Sequence, residues 1–198
     1  MNVKAQGLLN AAKFIEDTYG RDALGEVLRA CGPAVRETYT SSIAINWHPV
    51  EELCEFVEVA ESMLPATARG RLAVQIGAAG AHANMKGTLL RIAFYIGKPE
   101  YLMKRAASLW RQFNDEGTME LITWSERLAR VEIRGVRTPK ETFCALITGW
   151  CTETAVALGV LHVTSHHVQC RAKGDAHCYF DIRGDFTGVP SGATPPGD

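Results

Sequence analysis

The hydrophobic pattern of the chain changes period once, between Phe113 and Met119, and that change limits the fold more than any other feature. Upstream, apolar residues recur at helical spacing. Leu8, Leu9, Ala12, Phe14 and Ile15, then Leu24, Val27 and Leu28, predict two short helices broken at Gly20. Ser41 to Pro49 reads as extended or looped, and a helix restarts around Pro49, where proline is tolerated in the first turn. Leu53, Phe56, Val57, Ala60 and Leu64 form the inner stripe of that helix, with glutamates on its other faces. Ala66 to Met85 is rich in Gly and Ala, a helix surface that permits close packing or leaves room for a ligand. Leu89 to Ile96 and Pro99 to Phe113 complete the helical half.

Downstream, Met119 to Thr123 and Leu128 to Val136 alternate in polarity, which predicts an antiparallel strand pair with a charged, solvated outer face. A helix follows from Thr138-Pro139 to about Leu158 and is stopped by Gly159. Two more strands, near Val160 to Arg171 and His177 to Arg183, flank the turn Lys173 to Ala176. The expected class is α+β: a helical N-terminal half, then strand-strand-helix-strand-strand with an antiparallel sheet.

At 198 residues and 46% hydrophobic content the chain can bury one core, so a single domain over residues 1–184 is expected. The tail at 185–198, with Pro190, Pro195 and Pro196 among Gly, Ser and Thr, is too poor in apolar surface to order itself. A formal charge of −1 gives no global pull toward nucleic acid or anionic membrane. No export signal or bilayer-spanning run is read, so a cytoplasmic protein is expected.

In that setting six cysteines point to buried thiols or metal ligands, because cytosolic thiols are kept reduced. Gly174 suits a three-residue hairpin loop that sets Cys170 opposite Cys178, and opposed strand residues lie roughly 4.5 to 5.5 Å apart at Cα. That distance serves a shared metal or a disulfide; two unrelated core thiols are the third reading. A tetrahedral zinc needs two further ligands. Cys144 and Cys151 stand about 10.5 Å apart along one helix, so only one of them can join the site. His162, His166 and His167 lie on the strand, with His167 nearest to Cys170. Strand residues three apart face opposite ways, so His167 requires a bulge near Val168 and Gln169.

The string Cys170, Gly174-Asp175, Cys178 and Tyr179-Phe180 resembles the C-terminal strand pair of the 4-vinyl reductase domain family, which includes sensory domains of phenol-responsive transcription activators. The resemblance implies a structural zinc held by Cys144, His167, Cys170 and Cys178, with His167 where the family usually has glutamate. The upstream part, including Trp47-His48-Pro49 and Gly97-Lys98-Pro99, is similar to a myxobacterial paralogous family without an assigned function. Together these imply, over about residues 5–183, the ligand-binding fold shared by nitric-oxide sensors and Golgi-transport complex subunits. Haem is not expected: Tyr39-Thr40-Ser41-Ser42-Ile43 departs at its fifth position from the Tyr-x-Ser-x-Arg motif of the nitric-oxide sensors.

The leading functional expectation is a sensory domain binding a small apolar or aromatic molecule between the helical half and the sheet, with His82, Tyr95 or Trp124 as candidate lining. The alternative is an interaction module that forms a homodimer or docks a protein partner, with no soluble ligand. An enzyme is not expected: no nucleotide-binding glycine motif occurs, a four-ligand metal has no open position, and no cysteine is marked as an activated nucleophile. Cys31, Cys54 and Cys151 are assigned to the core, and His48 and His177 to surface or loop.

Overall fold

The computed structural model of the protein describes residues 1–65, 70–85 and 106–187. In chain order these are strand β1 (Asn2–Lys4), helices α1 (Gln6–Tyr19), α2 (Arg21–Ala30) and α3 (Pro33–Ser41), strand β2 (Trp47–Pro49), helices α4 (Val50–Met63), α5 (Leu72–Met85) and α6 (Ala106–Phe113), strands β3 (Thr118–Trp124) and β4 (Leu128–Arg134), helix α7 (Glu141–Ala157), and strands β5 (Leu161–Gln169) and β6 (Cys178–Asp185). This is the α+β arrangement that the change of period predicts. The expected helix at Leu89 to Ile96, the first part of that at Pro99 to Phe113, Tyr95 and the Gly97-Lys98-Pro99 junction lie outside the described residues. Among the described residues no helix is long and apolar enough to cross a membrane.

Two elements of the helical half carry no strong periodic signal. Helix α3 has proline in its first turn and buries Val35 and Thr38. The short β1 pairs antiparallel with β2, Val3 opposite His48, which stitches the N-terminus to the start of α4. Glu61 of α4 reaches the N-terminus of α5, where its carboxylate accepts from the amide of Ala73 (3.0 Å) and pairs with Arg71 (2.9 Å). A carboxylate there satisfies an amide that has no partner within its own helix.

The main sheet has the order β3-β4-β6-β5, antiparallel throughout. Its inner face (Val131, Ile133, Cys178, Phe180, Ile182) is buried. The outer face is not the simple solvated surface that its alternating charges suggest. Glu132 and Asp181 are each only 1% exposed there. Arg130 donates twice to Asp181 (2.5 and 2.8 Å), and Arg134 and His177 both engage Glu132 at 2.6 Å. The Tyr179 ring, stacked on His177, lies beside these pairs. Strand β6 runs one residue past the expected boundary at Gly184, and Phe186 packs edge-on against Trp124, centroids 4.8 Å apart.

Helices α5 and α7 cross with almost no side-chain spacer. A Cβ on Gly77 would lie 1.9 Å from the carbonyl oxygen of Leu146, and one on Gly149 would lie 1.8 Å from that of Val74. At Gly77 the Gly/Ala-rich stretch therefore serves close packing, with each helix supplying a glycine where the other's backbone passes. Gly149→Ala forces the helices apart and is expected to cost at least about 2 kcal/mol, in the range of overpacked cores. Gly25→Ala, in open space on α2, is expected to stabilise by roughly 0.5 kcal/mol through helix propensity. Chemical denaturation of both variants checks the pair. A second expectation concerns acid: the Arg130 hydrogen bonds hold the Asp181 carboxyl below its usual range against the opposing effect of burial. Its stabilisation is present above the unfolded-state value near 4 and is lost as pH falls through the lower folded value. Asp181→Asn should flatten the acid limb of a stability profile, measured by denaturation between about pH 5 and pH 2.

Candidate metal centre and an apolar cavity sharing one helix

Cys144 lies in the first turns of α7, His167 near the end of β5, Cys170 just after β5, and Cys178 at the start of β6. The fold brings one ligand atom from each within 4.8 Å of all the others. The three cysteines are buried and His167 is half-buried.

Local structure explains the convergence. His167 pairs with Phe180 and Gln169 with Tyr179, so Val168 is an extra residue in the ladder. That bulge cancels the alternation that would send His167 and Cys170 to opposite faces. The connection is not the expected three-residue loop; it is longer, with a 3-10 turn at Arg171–Lys173 and Gly174 in the left-handed region at φ 97°. The Asp175 carboxylate accepts the Cys170 amide at 2.6 Å, and Arg171 donates to the carbonyl of Val136 at 2.6 Å. Lys173 pairs with Glu141 at 2.8 Å and ties the turn to the start of α7.

The thiol of Cys144, hydrogen-bonded to Cys178, lowers the Cys178 pKa against the penalty of burial, aided by His167 and the amide of Arg171. The same hydrogen bond, with burial, raises Cys144. The ring of His167 lies flat on Phe180, centroids 4.4 Å apart, and its buried Nε2 has no hydrogen-bond partner. His166 and His162 are exposed on β5, outside the cluster. Cys151 stands apart in the core; burial raises its thiol to about 12, Cys54 to about 12 and Cys31 to about 11, which makes them inert.

On the other flank α7 faces a cavity of about 120 Å³ bordered by β1, α1, α4, α5, α6 and β3. Phe143, Leu146, Ile147, Trp150, Trp110 and Met119 supply most of its apolar wall. Asn10 and Asn84, hydrogen-bonded to each other at 3.3 Å, supply a polar edge. Of the candidates singled out from sequence, His82 and Trp124 do not line it: His82 is exposed and bound to Glu153 at 3.2 Å, and Trp124 packs on Phe186; Tyr95 lies outside the described residues. Trp110 and Trp150 meet at this cavity only through the helix crossing, which no local sequence signal announces.

No family model matches the chain, and no curated protein matches it. Its fold is that of H-NOX proteins. A mutant H-NOX protein from S. oneidensis in the Fe(II) ligation state superimposes with a TM-score of 0.70 at 11% identity, covering 94% of this chain and 99% of that one. The Fe(II) unliganded H-NOX protein from K. algicida gives 0.67 at 9% identity, covering 92% and 96%. The H-NOX protein from S. oneidensis in the Fe(II)NO ligation state gives 0.68 at 10% identity, covering 92% and 99%. The nitric-oxide-sensor side of the expected fold is thereby met; the 4-vinyl reductase side gains no match.

These comparisons also correct the cofactor. The similar structures are described with Fe(II) and bring no structural zinc to this chain, so that assignment is withdrawn. The described residues at the cavity also lack the axial ligands, histidine or cysteine, that haem most often takes. The lining of the cavity among the described residues has no histidine or cysteine, and residues 86–105 contain neither in sequence. A volume of about 120 Å³ is also well below the roughly 300 Å³ at which pockets for larger ligands begin.

Proposed function

We propose that the chain is a non-enzymatic, small-molecule-binding sensory domain of the 4-vinyl reductase type. Cys144, His167, Cys170 and Cys178 hold one thiolate-preferring metal ion, and the cavity takes an apolar or aromatic molecule of about one ring. The observation that carries this reading is the double duty of α7: Cys144 joins the four-donor cluster while Phe143, Leu146 and Ile147 line the cavity. Three cysteines and an imidazole are a donor set selective for thiophilic ions. The partnerless Nε2 of His167 speaks for the same reading, since a buried polar atom left unpaired costs about 1 to 3 kcal/mol. A cavity of about 150 Å³ with apolar walls admits benzene, which sets the size class.

Cobalt(II) serves as a spectroscopic probe for the metal. The expected result is one ion per chain with thiolate charge-transfer absorption, lost in Cys144→Ser and kept in His166→Ala. Retention in Cys144→Ser would remove the proposed ligand set. For the cavity, benzene near saturation is expected to raise the melting temperature, because a ligand bound only by the folded state stabilises it by mass action. Gly80→Leu, placed in open space at the cavity wall, should abolish that rise by filling the volume. An unchanged melting temperature in the parent protein would refute a one-ring ligand.

A second reading rests on β5. Among the described residues nothing pairs with the outer side of this edge strand, which exposes Leu161 (58%) and Val168 (44%), features that suit pairing with a second copy. Sedimentation of the parent protein and of Val168→Lys distinguishes a β5-mediated dimer, which the charge would dissolve.

A further inference from the structure

Sequence alone assigns His48 to the surface, but the structure sets it at the centre of a four-membered polar chain. Thr38 and Ser42 lie one turn apart at the end of α3, His48 is in β2, and Glu52 is in the first turn of α4. Ser42 Oγ is 2.7 Å from His48 Nε2. On the other side of the ring, Nδ1 is 2.9 Å from Thr38 Oγ1 and 3.4 Å from Glu52 Oε2. Thr38 Oγ1 in turn lies 2.5 Å from Glu52 Oε2.

With the His48 ring neutral and Glu52 ionised, the proton inventory gives the directions. An ionised carboxylate only accepts, so the single hydroxyl proton of Thr38 goes to Glu52. Thr38 Oγ1 then accepts from Nδ1–H, which leaves Nε2 as the acceptor for the Ser42 hydroxyl. This is the tautomer a general base needs, oriented by a buried third group as in nucleophile-base-acid constellations. Thr38 is 3% exposed, whereas Ser42 is half-buried and reachable. The loop that begins at Ser42 exposes Ile43 (61%), Ile45 (69%) and Trp47 (43%), an apolar surface beside the serine in sequence.

We propose that Ser42 is an activated nucleophile, a covalent modification site for apolar acyl groups carried on good leaving groups. Ser42 Oγ attacks the carbonyl carbon as its proton passes to His48 Nε2. The new Oγ–C bond forms, the bond from that carbon to the leaving oxygen breaks, and the leaving group departs with the proton from Nε2. Ser42 is left as an ester. Thr38 and Glu52 are positioning residues that act through His48. The amide of Ser42 is bound to the carbonyl of Thr38 at 3.1 Å and so does not serve the tetrahedral oxygen, a task for which acyl-transfer sites use free amides. That restricts the electrophile to activated ones and makes removal of the acyl group slow, so the reaction is one event per chain and not turnover. This proposal is independent of the metal and of the cavity.

An alkyl fluorophosphonate is the probe; its phosphorus takes the place of the carbonyl carbon, and fluoride leaves. Intact mass and peptide mapping are expected to show one adduct, on Ser42, formed by the folded protein and absent when labelling is done in concentrated urea. His48→Gln should slow labelling by about 10²-fold, the usual contribution of a general base. Thr38→Val, nearly isosteric, should slow it too, and Thr38→Ser should restore it, which a purely structural role for the methyl group would not do. Ser41→Ala, at the exposed neighbouring serine, should label at the parental rate. No adduct on Ser42 in the folded parent protein, or equal labelling in urea, would overturn the proposal without recourse to any variant. An undiminished rate in a folded His48→Gln would overturn the role of the histidine.

Discussion

The crossing of α5 and α7 is the contact on which the rest of the molecule depends. Because Gly77 and Gly149 let each helix meet the other's backbone, α7 is pinned between the helical half and the sheet. A helix held that closely presents fixed side chains in two directions. Toward β5 and β6 it offers Cys144; toward α1, α4 and α6 it offers Phe143, Leu146, Ile147 and Trp150. A bulkier residue at either glycine would move both sets at once, since packed interiors transmit displacement and do not absorb it.

The parts legible in the sequence were those with short-range causes. Helical spacing at Leu53, Phe56, Val57 and Ala60, alternation at Val131 and Ile133, and the stop at Gly159 each follow from a local period or a single backbone preference, and each element stands where that reasoning puts it. The need for a bulge between His167 and Cys170 also follows from the pleat, and the ladder has an extra residue at Val168. Other features have causes distant in sequence. β1 exists only because β2 lies beside it, and Glu132 and Asp181 look solvated until His177 is placed next to the one and Arg130 next to the other. The cavity is the clearest case, as its wall draws on β1, six other elements and the loop after α6, and neither His82 nor Trp124 lies on it.

A shared fold does not bring a shared cofactor. Similarity at about 10% identity fixes the path of the backbone, while a prosthetic group is held by particular side chains. Among the described residues, four nitrogen and sulfur donors meet at the far flank of α7, Cys144, His167, Cys170 and Cys178, while the cavity wall is mostly apolar with Asn10 and Asn84 at its edge. The interior is accordingly suited to burial of an apolar molecule, and the flank to coordination. The two chemistries are separated by the width of one helix.

That separation has an energetic consequence. Ions and ligands shift a conformational equilibrium only to the extent that they bind its states differently. If α7 moves as a body when the cavity fills, the distance from Cys144 to Cys170 and Cys178 changes with it, and the metal affinity follows. Reciprocity then requires the ion to alter ligand affinity by the same factor. An independent loop would not couple the two, because it would relax around one site without disturbing the other. The close glycine crossing removes that freedom, so the feature that makes α7 a rigid partition is also what would let one side of it report on the other.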